Sequence, residues 1–171
     1  METLFRAWSY LSNLEWTERA QSDCKFCDHS KLKPIYQDNL VIAFENIRLG
    51  GRHHWLITPL QHIRDIEVLG TKDLPLLLHI DKVKKLLLDR HCPDHKNWTI
   101  HSGYHRGRRP ISLLNGFYWP DIISIHHLHL HVIVEPFWTL WLFKYPTWLP
   151  FMWKSDRQVV QQVERAKLKG D

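Results

Sequence analysis

Apolar residues return every three or four positions at Leu74, Leu77, Leu78, Val83, Leu87 and Leu88, a spacing that lays one stripe along a helix. Thr71 predicts its N-cap, and the helix is expected to run through about residue 90 and to stop before Pro93. A second helix is expected from residue 155 to about residue 167. A peripheral helical arm is expected at the start of the chain, where Leu4, Phe5, Trp8 and Leu11 recur at helical spacing. Elsewhere the period falls to two. Residues 35–45 read as paired strands turning around Asp38 and Asn39, and residues 53–58 as a strand closed by Pro59. The polar, basic residues 101–110, carrying Arg106, Arg108 and Arg109, read as a loop. A last strand alternates most regularly, with His127, His129 and His131 on one side and Leu128, Leu130 and Val132 on the other. Helices and hairpins without strict strand and helix alternation predict an α+β fold with a mainly antiparallel sheet and flanking helices.

Composition refines this picture. With 171 residues, 44% of them hydrophobic, and no internal repeat, the chain suits one core. Residues 1–21 are expected to form the arm, and residues 22–171 a single domain. That domain includes an aromatic-rich segment, residues 137–153, whose Pro146 and Pro150 prevent a regular helix. So much aromatic surface is expected to be covered, beside the active site or at a subunit contact. The net charge of +5 suits a polyanionic ligand such as a nucleotide and leaves nucleic acid open without favouring it. Glu2, Arg6, Glu15 and Glu18 interrupt the first twenty residues, so no signal peptide is expected. The apolar run at residues 137–143 is too short to span a bilayer, which predicts a soluble intracellular protein. Of three cysteines, Cys24 and Cys27 are separated by two residues, which points to metal rather than a disulfide framework, and Cys92 reads as an ordinary free thiol.

The histidine row carries the candidate chemistry. Three imidazoles on one strand face are hard to explain by packing, because each ring must satisfy two nitrogens. Near neutral pH imidazole is a nucleophile, a proton donor or a metal ligand. Cys24 and Cys27 form half of a tetrahedral zinc site, and His29 is one nearby candidate to help complete it.

The run from Ser124 through His127, His129 and His131 to Val132 and Ile133 resembles the pattern of the histidine-triad superfamily. Cys24-Lys25-Phe26-Cys27, the strand around Phe44, Asn46 and Ile47, and His54 through Pro59 and His62 resemble the same superfamily in the same order. Residues 115–120 and the tail at residues 137–167 are similar to the third Hint-type subgroup. The resemblance implies a histidine-triad fold and hydrolysis of purine nucleoside 5′-phosphoramidates through a nucleotidyl-histidine on His129. His127, His131 and His54 would be arranged about the phosphate. It further implies that Phe44 and Ile47 hold the base, that Asn46 meets the ribose and that Ser124 contacts phosphate. A structural zinc would sit on Cys24, Cys27, His62 and His127, with no cofactor needed for catalysis. A homodimer in the cytoplasm, with the nucleus as a second compartment, completes the implied picture. Asn46 stands where the superfamily usually has Asp, and Tyr118 where the subgroup more often has His.

Other readings stay open on the residues. The same triad serves dinucleoside polyphosphate hydrolysis and the aprataxin-like removal of adenylate from DNA ends. Alternating histidines also hold catalytic zinc or iron in some enzymes. A nucleotide-binding module without turnover is the last alternative.

Overall fold

The computed structural model describes residues 24–107, 109–111, 118–119, 123, 125–137, 145 and 148–169. The expected arm at residues 1–21, Ser124, Arg108 and most of residues 138–147 lie outside the described residues. Strands β1 (Pro34–Gln37), β2 (Val41–Glu45) and β3 (Gly51–Pro59) come first, followed by helix α1 (Leu74–His91) and β4 (Ile100–His105). Two short strands, β5 (Arg109–Pro110) and β6 (Tyr118–Trp119), pair with each other. Then come β7 (Leu130–Phe137), β8 (Trp153–Ser155) and helix α2 (Asp156–Lys169). The main sheet has the order β1-β2-β3-β7-β4-β8 and is antiparallel throughout. This is the expected α+β architecture. Among the described residues no helix is long and apolar enough to cross a membrane.

Strand alternation divides the side chains between two faces. Val41, Ala43, Trp55, Ile57, Leu130, Val132 and Val134 join Leu77, Ile80, Val83 and Leu87 of α1 and Val159 and Val163 of α2 in one buried core. Ile42, Phe44 and Leu56 turn to the opposite face, where they pack with Cys24 and Phe26. His54 pairs with Ile133 across β3 and β7, and Leu56 with His131. The histidine face is therefore continuous with β3.

Three expectations need correction. Thr71 does not cap α1: a short 3-10 turn spans Thr71–Asp73, Asp73 is the N-cap, and the Gly70 N–H donates to the Asp73 carboxylate at 2.8 Å. β7 begins at Leu130, so His127 and His129 precede the regular strand, although their alternation with buried Leu128 and Leu130 holds. Residues 101–105 are not loop but the body of β4. Their polarity misled because the far face of this strand borders a polar site instead of solvent: Tyr104 enters the core, while Gly103 lies opposite His131. Arg106 and Arg109 are likewise engaged within the fold. Arg106 grips Glu67 at 2.8 and 3.1 Å, and Arg109 donates to the Phe151 carbonyl.

Candidate active site

His127, His129, His131 and His54 are all buried on one side of the sheet. Each ring has a partner that selects its tautomer. A backbone carbonyl can only accept, so His129 Nδ1–H donates to the His127 carbonyl at 2.5 Å, which leaves Nε2 bare. Burial holds the His129 pKa below the usual histidine range, against the pull of that carbonyl. His129 is thus a neutral imidazole with a free lone pair. Its ring centroid lies 4.7 Å from that of His131.

His54 Nδ1 faces both the Gly50 N–H at 3.1 Å and the Arg48 carbonyl at 3.2 Å; where it accepts from Gly50, the His54 proton is on Nε2. That nitrogen lies 2.9 Å from His131 Nδ1. His131 accepts there, so its own proton sits on Nε2. A relay running from backbone to His54 to His131 therefore gives the last triad ring an N–H, while the middle ring keeps a lone pair. One face then carries a ring nitrogen with a lone pair beside a ring N–H.

His127 faces elsewhere. Its Nε2–H donates to the Pro59 carbonyl at 2.8 Å, and Nδ1 points at Cys24 Sγ and Cys27 Sγ, 3.3 and 3.5 Å away. His62 Nδ1 is 3.2 Å from Cys27 Sγ. The ligand atoms of Cys24, Cys27, His62 and His127 all lie within 4.8 Å of one another. Around a tetrahedral zinc with ordinary bond lengths, sulfur and nitrogen ligands stand about 3.6 Å apart, so the four side chains fit such an ion. Burial draws the His127 pKa down to about 4, which keeps the ring neutral as a ligand must be. Burial, and then the neighbouring Cys24, push the Cys27 thiol up to about 11. A bound cation would reverse that by deprotonating both thiols. His29 is outside this group, and so are His129 and His131, so the three triad rings do not converge on one ion.

Phe44 is buried, with Phe26 edge-on to it at 5.2 Å and edge-on to His129 at 5.3 Å. Ile47 is 95% exposed at the rim. Asn46 is held by two bonds: its Oδ1 accepts from the Arg48 N–H, and its Nδ2 donates to the Tyr145 hydroxyl. Sequence reasoning gave no role to His105 or Gly103. His105 lies edge-on to His131 at 4.9 Å and to Trp153 at 5.2 Å. The signal was present as a second alternation, His101, Gly103, His105, hidden by the reading of this run as loop. Tyr145 and Trp153, from the aromatic segment, do lie beside the histidines, with Tyr145 at 5.1 Å and Trp153 at 5.7 Å from His131.

Residues 21–144 match the family described as scavenger mRNA decapping enzyme C-term binding. The chain is 29% identical over 103 residues to an aprataxin of Danio rerio, covering 60% of this chain but only 27% of that protein. It is 27% identical over 127 residues to the adenosine 5′-monophosphoramidase HINT3 of Xenopus tropicalis, covering 71% of this chain and 74% of that one. Among solved structures, a histidine triad protein from Clostridium difficile shares the fold, with a TM-score of 0.52, 20% identity and coverage of 66% of this chain and 90% of that chain.

Proposed function

Because the chain belongs to the histidine-triad superfamily, we propose that it is a nucleotide hydrolase that cleaves the phosphorus–nitrogen bond of purine nucleoside 5′-phosphoramidates. The geometry that carries this reading is the bare Nε2 of His129 beside His131, whose own proton is on Nε2 when His54 Nδ1 accepts from the Gly50 N–H. The His129 lone pair attacks the α-phosphorus. A P–N bond to the imidazole forms as the bond to the leaving amine breaks, and the amine departs with a proton from solvent, which the attacking water of the second step gives back. Water then attacks the nucleotidyl-histidine, the imidazole leaves, and the nucleoside monophosphate is released. The His131 N–H stabilises negative charge on the phosphoryl oxygens in both steps. His54, fully buried, acts through His131 by fixing its tautomer.

In this reading Phe44 and Ile47 take the base, with Phe26 beside them. Asn46 offers the ribose its second amide hydrogen and second lone pair, and Ser124 meets phosphate. Cys24, Cys27, His62 and His127 hold a structural zinc, which would supply rigidity and no chemistry to the reaction. The reading extends to a homodimer in the cytoplasm or nucleus. Removal of adenylate from DNA ends is a second reading, favoured by the similarity to an aprataxin and by the net charge of +5.

The test is incubation of the purified protein with adenosine 5′-phosphoramidate, diadenosine polyphosphates and adenylated DNA, each beside a His129→Ala control. Release of AMP from the phosphoramidate, lost in the variant, supports the first reading. Turnover confined to adenylated DNA transfers it to the second. A folded wild-type protein that turns over none of the three rules out both.

A further inference from the structure

Tyr145 brings the tail after β7 into the histidine cluster. It is 1% exposed, and its ring stands edge-on to His54 at 4.8 Å and lies 5.5 Å from His105. Packing alone would be served by phenylalanine, whereas a buried phenol requires a partner. One partner here is Asn46 Nδ2, which donates to the hydroxyl at 3.3 Å. The orientation of that amide is set from the other side. The Arg48 N–H, which can only donate, occupies Asn46 Oδ1 at 3.1 Å, so Nδ2 must face inward. Nδ2 also lies 3.2 and 3.4 Å from the two nitrogens of His54, near-equal distances that set the amide against the ring instead of along one lone pair. A Cβ on Gly50 would stand 3.1 Å from the Tyr145 ring. The turn at residues 46–50 is thus clasped between Tyr145 and His54.

This turn decides a choice between two proton arrangements. His54 Nδ1 has the Gly50 N–H at 3.1 Å and the Arg48 carbonyl at 3.2 Å. If it accepts from Gly50, the His54 proton sits on Nε2 and the His131 proton on its own Nε2. If instead it donates to Arg48, His54 Nε2 becomes bare, and His131 must donate from Nδ1 across the 2.9 Å contact. His131 Nε2 would then lose its proton.

We propose that Tyr145 is a positioning residue for the phosphate end of the site: its hydroxyl, through Asn46 and the turn at residues 46–50, holds His54 and His131 in the arrangement that keeps a proton on His131 Nε2. This rests on the hydrolase reading above for its catalytic consequence, though not for its structural one. Tyr145 is then part of the reaction apparatus, and the amide at position 46 donates to its hydroxyl, where an ionised Asp could only accept the phenol's own hydrogen.

The experiment compares wild type with Tyr145→Phe, which keeps the ring and removes only the hydroxyl. Histidine side-chain 15N shifts report the tautomers, and steady-state kinetics use adenosine 5′-phosphoramidate. In the variant, His54 is expected to show a new Nδ1–H population, with kcat down roughly tenfold and KM nearly unchanged, as befits lost positioning of a group that acts in the transition state. Unchanged His54 and His131 signals in Tyr145→Phe overturn the proposal whatever the kinetics do, and so does a change in KM alone. If wild type turns over no phosphoramidate, the hydrolase reading falls, and the tautomer shift by itself upholds or overturns the role of Tyr145.

Discussion

A histidine is useful to a reaction according to which nitrogen keeps its proton, and here backbone groups make most of that choice. The His127 carbonyl sets His129, the Pro59 carbonyl sets His127, and the Gly50 N–H sets His54 where Nδ1 accepts from it. A glycine makes room for the same cluster. Gly103 lies across from His131, and a Cβ on it would stand 2.4 Å from the Lys154 carbonyl oxygen and 2.6 Å from the Trp153 indole. Neither a backbone oxygen nor a buried indole moves cheaply, so Gly103→Ala is expected to push β8 away from β4 and to cost about 1–3 kcal/mol. Chemical denaturation would measure the loss, and tryptophan fluorescence should report movement of Trp153. A variant as stable as wild type, with unchanged emission, would show that β8 yields without penalty. The alternation at residues 127–132 made the triad legible from sequence, because a period of two survives even where the strand is irregular. The turn glycine and the carbonyls that assign tautomers were not legible, since any residue type supplies the same backbone atoms.

At the level of elements, α1 and α2 are joined by one cation. Lys84 of α1 bonds Asp156 at the start of α2 and lies 2.7 Å from Asp81 of its own helix. Burial works against its charge, but the two carboxylates prevail and raise the Lys84 pKa above the ordinary lysine value. A raised folded-state value means that this stabilisation is complete at neutral pH and is lost only as pH climbs through the alkaline lysine range. Asp81 shows the complementary effect. Its pKa is lowered despite burial by bonds from Lys84 and Lys85, so its contribution fades as pH falls through the carboxylate range. Lys84→Met keeps the side-chain volume and strands two carboxylates. Thermal unfolding at pH 7 should show a loss of about 2 kcal/mol, with a smaller gap from wild type in acid, where Asp81 is protonated. An equal gap at both pH values would assign the effect to packing. Sequence periodicity located α1 because it has one apolar face, and the second helix, expected from residue 155, begins at Asp156, where the Ser155 Oγ and the Gln158 side chain bond each other's backbone N–H. It failed for β4 because periodicity separates apolar from polar and cannot tell a polar solvent face from a polar active-site face.

Across the whole molecule, three separated stretches of chain meet at Cys24, Cys27, His62 and His127. They are the turn before β1, the segment after β3 and the approach to β7. The meeting point matters for the site because His127 contributes its ring to the cluster and its carbonyl to His129. Two thiols, one buried and one half-buried, and two imidazoles attract one another weakly, whereas an ion bound by all four would link the three stretches in the folded state alone and stabilise it by mass action. At a free zinc concentration one hundred times the dissociation constant, that linkage raises Tm by roughly 5–10 °C for a chain of this size. One zinc per chain is therefore expected by elemental analysis, with a fall of that order in Tm after chelation and recovery on adding the metal back. Cys27→Ser should lose both the metal and the thermal response. His129→Ala, whose ring lies outside the group, should keep both while losing turnover, and this contrast separates a structural ion from a catalytic one. Protein that carries no metal as purified, takes up none on titration and melts at one temperature throughout would mean that the four side chains form a polar cluster held by their own hydrogen bonds.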